Sequence, residues 1–166
     1  MPIDPLFSPD GPASPRPVLI TRGNAAWQID LPERWRVVPS GRDDTVTFQS
    51  DVDDAALMIN VDFYDIPPDK ARSTAERLIN SRLAKLEEQA PGQVDMFDSG
   101  VQPHPLSKGL EMYYAAHIAE SDVVMYFVYI LPQRVINLTL VSKKGRNEAM
   151  GLLRAVHSHF RPIPAA

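Results

Sequence analysis

The chain has 166 residues, 44% of them hydrophobic, with a formal net charge of −4 and no cysteine. That length suits a single domain with a sizeable core. The mild acidity disfavours a nucleic-acid binder or a polybasic membrane-surface protein. The missing thiols exclude disulfides, thiolate metal sites and cysteine nucleophiles.

Residues 1–17 hold six prolines. A segment so rich in proline cannot sustain a helix or a sheet ladder, so 1–17 read as a proline-rich tail and 18–166 as one α+β domain. The N-terminus lacks the basic start and apolar run of a secretory signal, and the apolar stretch Val123–Val141 is interrupted by Pro132-Gln133-Arg134. Neither feature fits export or a membrane span, so the reading is a cytoplasmic protein.

Elements follow in order. Trp27, Ile29 and Leu31 alternate with polar residues and predict a strand that Pro32 ends. Thr45–Gln49 alternates too, as does Leu57–Phe63, and the acidic link Asp51–Asp54 fits a hairpin turn. Pro67-Pro68 opens a helix whose apolar stripe runs through Ala71, Ala75, Leu78, Ile79, Leu83 and Leu86 to a stop at Pro91-Gly92. Val94–Phe97 reads as a short strand. Leu110–Ile118 alternates, Val123–Leu131 is apolar on both faces as a central strand should be, and Val135–Val141 returns after the tight turn Pro132-Gln133. Ala149, Leu152, Leu153, Val156 and Phe160 stripe a last helix. The order predicts an α+β fold: an antiparallel sheet of about six strands, with two amphipathic helices packed on it.

The motif Ile29, Leu31, Pro32 and Trp35, followed by Tyr113-Tyr114, the Val123–Leu131 strand and a last helix reaching Phe160, resembles the PsbP-like superfamily. Within it, the pattern is most similar to bacterial DcrB-like proteins, over roughly residues 24–161. The common form of the motif is LP-x-G-W; Arg34 stands where the glycine would be. The resemblance implies non-catalytic binding work. One branch resembles cytosolic chaperones of type VI secretion effectors, which hold apolar effector segments before export. Physically, Pro32 turns the chain off the sheet edge, and Trp35 can fold back either as a structural plug or as a ligand contact.

No catalytic or metal constellation emerges. His104, His117, His157 and His159 lack helical ligand spacing; His157 and His159 read as surface residues of a last helical turn. The acidic turns Asp43-Asp44 and Asp51–Asp54 lack calcium-loop order and read as solvated. There is no nucleophile elbow, P-loop or dinucleotide fingerprint. Glu111 and His117 share a strand face but stand about 20 Å apart, too far for an acid–base pair. No cofactor is expected.

If Leu57, Ile59, Val61, Phe63, Leu110, Met112, Tyr114 and Ile118 face both helices, the reverse face holds Met58, Asn60, Asp62, Tyr64, Tyr113, His117, Met125, Phe127 and Tyr129, with Asn137 and Thr139 from the last strand. Methionine, tyrosine and small polar groups together make an adaptable docking surface. A protein partner, a second copy in a homodimer, or the chain's own remaining segments could cover it. Met58, Asn60, Tyr64, Tyr113, His117, Met125, Phe127 and Tyr129 are the candidate partner-binding residues. A chaperone or adaptor for a secretion effector, an immunity protein against a cognate toxin, and an enzyme with a dispersed site are the readings this leaves.

Overall fold

The computed structural model describes residues 18–63, 65–103, 109–118 and 122–163; the expected proline-rich tail and Tyr64 lie outside them. Two antiparallel sheets carry the fold. The larger has seven strands in the order β3-β4-β5-β9-β8-β7-β6: β3 Arg36–Val38, β4 Thr45–Ser50, β5 Ala55–Asp62, β6 Val94–Pro103, β7 Leu110–Ile118, β8 Asp122–Leu131 and β9 Arg134–Ser142. The smaller joins β1 Leu19–Gly23, β2 Trp27–Pro32 and β10 Phe160–Pro162, with β2 in the middle. Helix α1 spans Ala71–Gln89 after a single 3-10 turn, and α2 spans Arg146–Ser158.

The α+β class is as expected, with sheets of seven and three strands instead of one of about six. The additional strands have weak signatures. Val94–Phe97 is the start of the ten-residue β6, whose second half, through Gly100 and Pro103, carries no period-two pattern. Cross-strand pairing to β7 makes it a strand nonetheless, with a bulge between Met96 and Asp98. Phe160 belongs to β10, paired to Ile29, and not to the last helix.

The helices sit on opposite faces of the large sheet, and this corrects the expectation that both pack on one. Ala75 and Ile79 of α1 are buried against Tyr114, Ala116, Tyr126, Val128, Ile130 and Val135. Ala149, Leu152, Leu153, Ala155 and Val156 of α2 join Trp27, Ile29, Leu31 and Phe160 of the small sheet over the other face, on Leu57, Ile59, Met125, Phe127, Tyr129, Ile136, Leu138 and Leu140. Alternation within each strand is as predicted; the phase between strands is not. Phe127 pairs Leu138 and Leu140 pairs Leu57, so Leu57 and Phe127 share a face. One residue of register moves a whole strand's side chains to the other side.

The turn after β2 explains how Arg34 replaces a glycine. Among the described residues the one non-glycine with positive φ is Asp54, so the turn needs no left-handed residue at 34. Trp35 N–H donates to Pro32 C=O at 3.0 Å. Arg34 Nε and Nη2 reach both carboxylate oxygens of Asp53 at 2.7 and 3.3 Å, tying the turn to the β4–β5 hairpin. Asp53 also accepts from Ser50 Oγ at 2.6 Å, so this part of the acidic turn is paired and not merely solvated. Trp35 is fully buried in the core beneath the small sheet, which settles its role as a plug.

Candidate functional site

Helix α1 lies over β7 and β8. It leaves the β4–β5–β9 half of its sheet face without a covering element among the described residues. The register lines that half in rows. Thr47, Met58 and Thr139 are cross-strand neighbours, as are Thr45, Asn60 and Asn137, and Ala56 pairs Val141. Met58, Asn60, Asp62, Thr139 and Val141 are half-buried. The surface therefore offers methyl and thioether groups beside amides.

A hydrogen-bond network holds the amides. The Tyr126 hydroxyl donates to Asn137 Oδ1. Asn137 Nδ2 donates to Asn60 Oδ1 at 3.2 Å and to Asp62 Oδ2 at 3.3 Å, and Asn60 Nδ2 donates to Thr45 Oγ1 at 3.3 Å. Arg82 of α1 stands over the Tyr126 ring, 4.4 Å from its centroid, and its Nη1 reaches Thr139 Oγ1 at 3.5 Å. Burial pushes the Tyr126 hydroxyl up to about 12, so it stays a donor at neutral pH. The network fixes the orientation of Asn60 and Asn137 at the edge of the half covered by α1.

The predicted site residues divide between the faces. Met58 and Asn60 lie on this uncovered half. Met125, Phe127 and Tyr129 lie on the opposite face, beneath α2 and the small sheet, at 0%, 6% and 1% exposure. They are core, which corrects the expectation of one open face holding all eight residues. The chain's own α2, β2 and β10 provide the cover. Tyr113 is half-buried there, stacked on Phe127 at 5.2 Å with its hydroxyl donating to Asp98 Oδ1 at 3.3 Å. His117 accepts a hydrogen bond from Arg146 Nε at 3.1 Å and packs beside Phe97. Phe63, expected in the core, follows the last residue of β5 and is exposed, with Arg134 5.9 Å from its ring centroid.

A second polar cluster went unseen in the sequence. Glu111 of β7 is 1% exposed. Its Oε1 is in ion-pair contact with His157 Nε2 from α2, and its Oε2 accepts from Gln102 Nε2 of β6 at 2.9 Å. The Tyr129 hydroxyl hydrogen-bonds to the same carboxylate. Burial alone would raise the Glu111 carboxyl; the hydrogen bonds from His157 and Gln102 outweigh it and hold the group below its ordinary value. Burial and the neighbouring carboxylate push Tyr129 well up. The His157 ring also stacks on Phe127, 5.0 Å apart and 10° from parallel. His157 is thus packed and paired on one side while its side chain stays 37% exposed, a surface residue of the last turn with a buried partner. Strand parity does place Glu111 inward, among Tyr113, Phe127 and Tyr129; a lone carboxylate in that setting is the signal that demands a basic partner from elsewhere.

Among the described residues no group of three or more histidines and carboxylates is placed to hold a metal ion. No helix among them is long and apolar enough to cross a membrane.

No protein-family model and no curated protein matches the chain. Solved structures do. The cyanobacterial PsbP (CyanoP) of Synechocystis sp. PCC 6803 superposes with a TM-score of 0.61 at 14% identity, over 87% of this chain and 92% of that one. The Ran-binding protein Mog1p of Saccharomyces cerevisiae gives 0.62 at 8% identity, over 89% and 97%. A point variant of Mog1 gives 0.58 at 8% identity, over 90% and 97%. At such identities the likeness is one of architecture, and the chain has the α+β fold shared by PsbP and Mog1.

Proposed function

We propose that the chain is a non-catalytic binding protein, a cytosolic chaperone or adaptor that holds an apolar segment of a type VI secretion effector. The observation that carries this reading is the β4–β5–β9 half of the α1 face, over which no element lies among the described residues. Thr47, Ala56, Met58, Thr139 and Val141 give an apolar guest a methyl-rich bed. Asn60, held by Asn137, supplies a fixed amide for the guest's backbone. Methionine's soft, unbranched side chain adapts to different apolar partners. The fold is one that a Ran-binding protein also uses, so it is compatible with a protein partner.

The test is recovery of a partner from the native host with the full chain as bait. The expected result is one co-purifying secreted protein with an apolar segment. Met58→Glu should abolish recovery while shifting the unfolding free energy by less than about 1 kcal/mol, because Met58 is half-exposed on that face and takes no part in the amide network. Partner-free protein at native expression would contradict the proposal. A partner whose toxicity the chain suppresses would point instead to the immunity reading.

A further inference from the structure

The segment from the last turn of α2 through β10 is held to the rest of the fold by two carboxylate clasps. Glu111 takes His157, as described above. Asp30 of β2 takes Arg161 of β10: Nη1 and Nη2 of the guanidinium reach its two oxygens at 3.0 and 3.4 Å, and Thr21 Oγ1 of β1 donates to it at 2.6 Å. Between the clasps, Asp30 N–H donates to His159 C=O at 3.1 Å, and Phe160 packs between Trp27 and Tyr129 with centroids 6.2 and 5.1 Å away.

We propose that these two carboxylates form an acid-sensitive clasp: protonating Glu111 and Asp30 frees residues 157–162 from the sheet and uncovers the aromatic row Trp27, Tyr129 and Phe127 beneath. Each oxygen now accepting an N–H from His157, Gln102 or Arg161 would lose the charge that makes the bond strong. Facing Glu111 are His157 from α2, Gln102 from β6 and Tyr129 from β8, and Tyr113 on its own strand is in turn near Asp98 of β6 and Arg154 of α2. Around Asp30 are Thr21 from β1, Arg161 from β10 and the nearby His159. Arg134 Nη1 also donates to Ile163 C=O at 3.1 Å, just past the clasped segment.

The sign follows from the direction of both shifts. The Arg161 and Thr21 hydrogen bonds hold Asp30 below its ordinary 3.8, and Glu111 is likewise held below its ordinary 4.5. The stabilisation is therefore complete above those values and is lost as the pH falls through the lowered ones.

Hydrogen-exchange mass spectrometry on the full chain, at pH 7 and near pH 3 and corrected for intrinsic exchange rates, tests this. Protection of 157–162 should fall at least tenfold more than that of β8 and β9. Asp30→Asn, whose side chain sits at the small sheet's surface, should remove the pH response of the Phe160 and Arg161 amides, and Glu111→Gln that of the His157 turn. Should Glu111→Gln fail to fold, the wild-type profile and Asp30→Asn still decide. Protection of 157–162 that tracks β8 and β9 at both pH values, or a wild-type pH response retained at the Phe160 and Arg161 amides in Asp30→Asn, would overturn the clasp.

Discussion

Replacing Trp35 by alanine should lower the unfolding free energy by about 3–5 kcal/mol, the range for emptying a large buried aromatic site. Trp35 is fully buried. Its indole N–H has no acceptor among the described residues, so its contribution is packing alone. Trp35→Phe should consequently retain more than half of the lost stability, since no hydrogen bond goes with the larger ring. Urea unfolding of the three proteins measures both quantities. The underlying reason is placement: Pro32 ends β2, the Arg34–Asp53 pair fixes the turn, and the ring is delivered under the small sheet. A cost below about 1 kcal/mol for Trp35→Ala would mean that the site collapses freely and that the motif is not what joins the two sheets.

Tyr129→Ser should destabilise by at least about 3 kcal/mol, well above the effect of Met58→Ala, which should stay below about 1 kcal/mol. The two residues separate core from docking surface. Tyr129 is closed off beneath Phe160, lies 6.1 Å from Phe127, and donates to the Glu111 carboxylate. Serine would empty the ring's volume and leave that carboxylate short of a donor. Tyr129→Phe isolates the second loss and should cost about 1–3 kcal/mol, the range for leaving a buried polar group unsatisfied. Thermal or urea unfolding monitored by circular dichroism gives the order. A Tyr129→Ser protein as stable as wild type but defective in partner binding would restore the aromatic row to the docking face.

These two experiments also mark where sequence reasoning reached and where it stopped. The alternations Trp27-Ile29-Leu31 and Leu57-Ile59-Val61, the stripe of α1, the central strand Val123–Leu131 and the turn at Pro132-Gln133 are all read from local patterns. Each depends on a period that its own residues set. They give the α+β class, and the motif around Pro32 and Trp35 adds the PsbP-like resemblance that the superpositions match at the level of fold. Strand β6 past Phe97 and strand β10 have no such period, because pairing to β7 and β2 creates them.

The candidate site shows the same division. That Met58 and Asn60 lie opposite Leu57 and Ile59 follows from parity within one strand. Whether they share a face with Phe127 and Tyr129 depends on register between β5, β9 and β8, which no residue of β5 encodes alone. His157 meets Glu111 across 46 residues of chain for the same reason. Local sequence determined which side chains point together along each strand and helix, since backbone geometry repeats every two or 3.6 residues. Tertiary structure alone decided which of those faces met: long-range pairing sets strand phase, and burial of both sheet faces sent α1 and α2 to opposite sides.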